Sequence, residues 1–146
     1  MIFIRDQSLS LDEYETFASR WGTFGEDPYL VGMDDHPHIA RLIKEADQRA
    51  PLVFGGSWHS DWSFLESPPA YTLLYATDVP EFGGDTLYTN MYLVYEWLSD
   101  EMKRICESLT VLHSAEKGYG PAATHNKLFE HMKIKTGESE IGRAHV

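Results

Sequence analysis

The stretch Gly55-Gly56-Ser57-Trp58-His59-Ser60-Asp61-Trp62-Ser63-Phe64 decides how the rest of this chain is read. Trp58 to Phe64 reads as a β-strand, and residues two apart in a strand point to the same face. His59 and Asp61 therefore set an imidazole beside a carboxylate, a pair able to grip one metal ion. Two imidazoles and a carboxylate on one octahedral face leave three coordination positions open, and His-x-Asp supplies two of those three ligands. The spacing alone is common, and it equally describes an ordinary hydrogen-bonded histidine.

Working downstream, Tyr71 to Thr77 reads as a strand that is apolar on both faces and therefore buried on both. Gly83-Gly84 turns the chain into a short strand, Asp85 to Thr89. Asn90 and Ser99 are good helix N-caps, and the acidic Asp100 and Glu101 suit the start of the helix that follows Ser99. Met102, Ile105, Cys106 and Leu109 give that helix an apolar face, and Leu109 to His113 then reads as a strand. From Ala115 onward the sequence is Gly-rich and polar, with a short helix expected over Asn126 to Met132.

Working upstream, Ile39 to Arg49 has the propensity of a helix, while Ile39 to Ile43 also fits a strand. Thr23 to His38 is rich in Gly, Pro and Asp without periodicity and reads as a long loop, a length usually tied to function. Before it, Ser10 and Glu13 form a capping box. Leu11, Tyr14, Phe17, Ala18 and Trp21 share one helical face until Gly22 stops the helix. Met1 to Arg5 reads as a short strand.

Composition bounds the function. The chain has 146 residues, enough for one domain. Lys and Arg number 12 against 23 Asp and Glu, giving a net charge of −11 and a pI near 4.9. Nucleic acid and anionic membrane surfaces are disfavoured as partners, because both need clustered basic residues. A small-molecule substrate fits better. No run is long and apolar enough to span a bilayer. Cys106 stands alone, and the first residues lack the basic and apolar regions of a secretion signal, so a reducing cytoplasm is the expected compartment.

Three ordered motifs carry a resemblance. Gly55 to Phe64, then Pro68-Pro69-Ala70, then Gly83-Gly84-Asp85-Thr86-Leu87-Tyr88 resemble the taurine dioxygenase (TauD/TfdA-like) family of Fe(II)- and 2-oxoglutarate-dependent oxygenases. The similarity also takes in Phe3-Ile4-Arg5-Asp6-Gln7 and the stretch through Leu109 to His113. It implies a mainly β fold with flanking helices, an incomplete double-stranded β-helix of the cupin-like jelly-roll type. It favours a strand over Ile39 to Glu45. It implies His59 and Asp61 as iron ligands and Thr86 as a hydrogen-bond donor to a carboxylate of 2-oxoglutarate. The implied reaction oxidises a small organic substrate while 2-oxoglutarate is converted to succinate and carbon dioxide. Trp58, Trp62, Phe64 and Tyr71 are candidate pocket walls, and Tyr29 in the long loop is a candidate substrate contact.

The family pattern also asks for a second histidine and then an arginine, both far downstream. His113, His125 and His131 match by residue type only, and none is carried over as a ligand. Glu140 to Val146 can be encoded by GAG ATC GGA AGA GCA CAC GTC, which opens a common short-read sequencing adapter. The expectation is therefore a partial dioxygenase domain over 1–139, a non-native tail over 140–146 and an internal Met1, the fragment being inactive alone. The alternative is a non-enzymatic cupin-like binding module that has lost the metal chemistry.

Overall fold

The computed structural model describes residues 1–27, 29–44 and 55–115, together with the backbone of 141–145. The expected helix over Asn126 to Met132, residues 45–49, and His125 and His131 lie outside the described residues.

Local sequence signals place the helices. Helix α1 spans Leu11–Ser19, opened by the expected capping box. Glu13 N donates to Ser10 Oγ at 3.2 Å and Ser10 N donates to Glu13 Oε2 at 2.8 Å. Such a cap stabilises a helix by about 1 kcal/mol. The helix ends earlier than the apolar pattern suggests. Arg20, Trp21 and Gly22 each donate three residues back, tightening the last turn before Gly22 leaves it at φ 144°. Helices α2 (Met91–Glu96) and α3 (Asp100–Glu107) are capped by Asn90 and Ser99. They are tied to each other by Lys103 Nζ, which donates to the Glu96 carbonyl at 3.0 Å, and by the Tyr95 hydroxyl, which donates to Glu107.

Strand β1 (Thr110–Ser114) confirms the strand expected after α3. It pairs antiparallel with β2 (Ile141–His145), in a register running from Thr110 opposite His145 to Ser114 opposite Ile141. The residues of β2 fall within the segment that the codon pattern sets apart.

The other expected strands are corrected among the described residues. Met1–Arg5, Ile39–Ile43, Tyr71–Thr77 and Asp85–Thr89 belong to no hydrogen-bonded ladder, and 39–44 are not helical either. The physical reason is that a strand is defined by its neighbour, and no described neighbour offers these segments a ladder. Residues 71–75 instead lie along α1. The Tyr14 hydroxyl donates to the Leu73 carbonyl at 2.8 Å, the Tyr14 and Tyr75 rings stack at 5.3 Å, and Trp21 packs on Tyr71 at 5.5 Å. Leu9 N completes the contact by donating to the Tyr75 hydroxyl at 2.8 Å. Nor is this segment buried on both faces, since Tyr71 and Leu74 are exposed.

The expected long loop is present, and polar contacts hold it. Asp27 Oδ1 accepts from Tyr29 N at 2.8 Å and Leu30 N at 2.7 Å. At Gly32 a Cβ would stand 1.9 Å from the Pro37 carbonyl oxygen, so only glycine permits that approach. His36 Nδ1 lies 2.9 Å from Glu15 Oε2 and ties the loop to α1. The Glu15 hydrogen bond is the chief cause that raises the His36 pKa above the ordinary imidazole value, and the nearby carboxylates add to it. A raised folded-state pKa means the tether is complete below the ordinary pKa and is lost as pH rises through the raised one. We expect NMR titration to place His36 above 6.5, the ordinary value, and Glu15→Gln to bring it down. Identical titration curves in the two proteins would contradict the tether.

Among the described residues the core is small and lies behind the sequence motif. Tyr29, Phe64 and Ala115 are buried together, with Trp62 and Leu65 packed against them. It joins the long loop, the His59–Asp61 segment and the end of β1.

Candidate metal centre

His59 and Asp61 come together, though by a different route from the expected strand. Trp58–Phe64 forms no ladder among the described residues. Its second half is a turn, with Trp62 in the left-handed region at φ 47° and Leu65 N donating back to the Trp62 carbonyl at 2.9 Å. A bulky residue at positive φ is strained and persists only where its surroundings hold it. Here Trp62 packs against the core, and its indole Nε1 is buried without a hydrogen-bond partner. The turn, and not strand periodicity, folds Asp61 back toward His59.

The polar atoms of the pair lie close together. His59 Nδ1 lies 2.7 Å from the Ser57 carbonyl oxygen. A carbonyl has no proton to give, so Nδ1 carries the hydrogen, and a ring with no second proton keeps its lone pair on Nε2. Nε2 lies 3.2 Å from Asp61 Oδ1. Two acceptors facing each other across that gap repel unless a proton or a cation lies between them. Neighbouring octahedral ligands at about 2.1 Å from a metal stand about 3.0 Å apart, close to the observed separation. A backbone carbonyl holding the remote ring nitrogen is the usual support of a metal-bound histidine. Both side chains reach solvent, at 50% and 35% exposure, leaving room for further ligands. Gly55, at φ 69°, makes that room, since a Cβ there would press on His59 Cε1 at 3.3 Å.

Thr86 and Tyr29 take different positions. Thr86 is exposed in an extended stretch after Gly83 and Gly84, whose φ values of 82° and 76° make the expected turn, and no hydrogen bond links it to the pair. Tyr29 is 2% exposed, with its ring edge-on to Phe64 at 5.7 Å, and so backs the motif within the core. Of the other candidate walls, Phe64 is buried while Trp58 and Tyr71 are exposed. No group of three His, Cys, Asp or Glu side chains suited to a metal occurs among the described residues.

Residues 1–145 match the family model described as taurine catabolism dioxygenase TauD, TfdA family. The chain belongs to that family. The chain is also similar to curated proteins. A Schizosaccharomyces pombe protein provisionally named an alpha-ketoglutarate-dependent sulfonate dioxygenase is 40% identical over 157 residues, covering 99% of this chain and 38% of its own length. An alpha-ketoglutarate-dependent sulfate ester dioxygenase of Pseudomonas putida is 30% identical over 140 residues, covering 93% and 45%. The pentalenolactone F synthase of Streptomyces arenae is 43% identical over 119 residues, covering 77% and 40%. The chain spans about two-fifths of the length of these curated relatives.

One contact in this TauD-family chain has no local signal in the sequence. Ser63 Oγ and His113 Nδ1 share a hydrogen bond of 2.7 Å across 50 positions. His113 stands out by residue type alone. Only its placement on β1 beside the motif turn reveals its partner.

Proposed function

We propose that the protein to which this chain belongs is an Fe(II)- and 2-oxoglutarate-dependent dioxygenase. In this reading it oxidises a small organic anion of the sulfonate or sulfate ester class and releases succinate and carbon dioxide. The observation that carries the reading is the His59 Nε2 to Asp61 Oδ1 approach of 3.2 Å, with Nδ1 committed to the Ser57 carbonyl. The substrate class rests on the names of the sulfonate and sulfate ester dioxygenases to which the chain is similar. The fold proposed for the whole protein is the family's jelly roll.

In this assignment His59 and Asp61 hold the iron. Fe(II), when bound, supplies the redox chemistry that couples dioxygen and 2-oxoglutarate to substrate oxidation. The chain's own groups bind and orient. The Ser57 carbonyl keeps the imidazole in the tautomer that leaves Nε2 free. The Asp61 carboxylate contributes one negative charge, so a ferrous ion keeps net positive charge with which to attract the anionic cosubstrate. The Thr86 hydroxyl would donate a hydrogen bond to a carboxylate of that cosubstrate. Tyr29 and Phe64 exclude water from beneath the turn.

The test begins by reading the source DNA past the codon for Ser139, where the proposed frame continues through a histidine and then an arginine. The intact protein, given Fe(II), 2-oxoglutarate and an alkyl sulfonate or sulfate ester, should form succinate in step with substrate loss. The 146-residue chain should form none, because two ligands hold iron weakly. Metal binding by the intact protein without succinate under any such substrate would favour a cupin-like binding module instead.

A further inference from the structure

We propose that His113 is a positioning residue for the metal pair, acting through Ser63. This rests on the reading of His59 and Asp61 as ligands and adds the element that fixes their turn. The turn has few attachments. Its first half is exposed, and the polar contacts of the pair itself are internal to it: His59 to the Ser57 carbonyl and His59 to Asp61. Among the described residues the Asp61 carboxylate meets only its histidine partner, and so moves with it and cannot orient it.

The attachments lie just past Asp61. Ser63, two residues on, meets His113 Nδ1 at 2.7 Å, and Phe64 is buried against Tyr29 and Ala115. His113 and Ala115 are themselves two apart along β1 and the residue that follows it, so one face of that segment meets the turn at two consecutive points. The contacts differ in kind. Phe64 against Ala115 is apolar and non-directional, which fixes distance but leaves rotation free. The Ser63–His113 bond is directional and short, and it restrains the backbone at Ser63, next to the strained Trp62 at φ 47°. A turn held in the left-handed region by a hydrogen bond on one side and a buried indole on the other keeps Asp61 facing Nε2.

The inference predicts a metal-affinity effect separable from folding. The probe is Mn(II), an oxygen- and nitrogen-seeking stand-in for Fe(II), titrated into the isotopically labelled 146-residue chain with occupancy of the pair read from paramagnetic broadening of the Gly55 and Ser57 signals beside it. Ser63→Ala and His113→Ala should each weaken binding about tenfold, at the low end for loss of a group supporting a ligand. Ser63→Thr, which keeps the hydroxyl, and His113→Asn, which keeps a nitrogen near the place of Nδ1, should restore most of it. A purely structural bond would lower the urea midpoint and leave the affinity of the folded fraction unchanged. Should His113→Ala fail to fold, Ser63→Ala removes the same bond with one atom and carries the test. Wild-type affinity in both alanine variants, with affinity lost in His59→Ala, would overturn the positioning role and leave the ligand assignment standing. Wild-type affinity in His59→Ala would overturn the ligand assignment first, and this inference with it.

Discussion

Replacing His59 with alanine, or Asp61 with alanine, is expected to weaken divalent-metal binding by at least about 100-fold, because removing a ligand exceeds the 10- to 100-fold typical of losing its support. The double variant should be no worse than either single one. Each substitution dismantles the same two-point site, and groups that act as a unit are not additive. The geometry explains why neither residue suffices alone. His59 offers one lone pair on Nε2, since Nδ1 is taken by the Ser57 carbonyl, and the partly exposed Asp61 carboxylate by itself resembles any other surface acid. In the intact protein the same substitutions should reduce 2-oxoglutarate-dependent turnover to background. Broadening of the Gly55 and Ser57 signals by titrated Mn(II) checks the first statement and succinate assay the second. Additive losses in the double variant would mean that the two side chains serve different sites.

Phe64→Ala should be the most destabilising single substitution in the described residues, at about 3 kcal/mol, the lower end for truncating a buried aromatic. Phe64 is the middle of the buried cluster. Its ring meets Tyr29 edge-on at 5.7 Å and packs with Ala115. The loss should also reach the metal pair, since Phe64 anchors the turn three residues after Asp61. Phe64→Leu keeps most of the volume and should cost below about 1.5 kcal/mol. Urea unfolding followed by near-ultraviolet dichroism measures both, and a Phe64→Ala midpoint equal to wild type would contradict the place given to this cluster.

Local chemistry was legible and long-range pairing was not. Helices α1 and α3 follow from Ser10, Glu13 and Ser99, because a cap is a contact between residues three positions apart. The strand reading of Tyr71–Thr77 failed for the opposite reason. A ladder needs a partner strand that adjacent positions do not specify, and among the described residues the segment meets instead Tyr14 and Trp21, fifty or more positions away. At Trp58–Phe64 the pairing of His59 with Asp61 was anticipated by strand spacing, yet it is reached through a turn at Trp62, whose positive φ no propensity suggests. The candidate ligands were thus visible in the sequence, while the groups that hold them, Ser57 by its carbonyl and His113 through Ser63, were not.

The central claim is that His59 and Asp61 bind one metal ion together, and the chain's acidity makes a direct test necessary. With 23 carboxylate side chains and a net charge of −11, weak Mn(II) association anywhere on the surface is assured, so affinity alone does not locate a site. The deciding measurement is paramagnetic broadening of the isotopically labelled chain by substoichiometric Mn(II). The account predicts that the His59 ring and Asp61 signals, with Gly55 and Ser57 beside them, vanish first, and that Asp61→Asn abolishes the selectivity. Broadening spread evenly over the acidic residues, with the His59 ring still sharp, would contradict it.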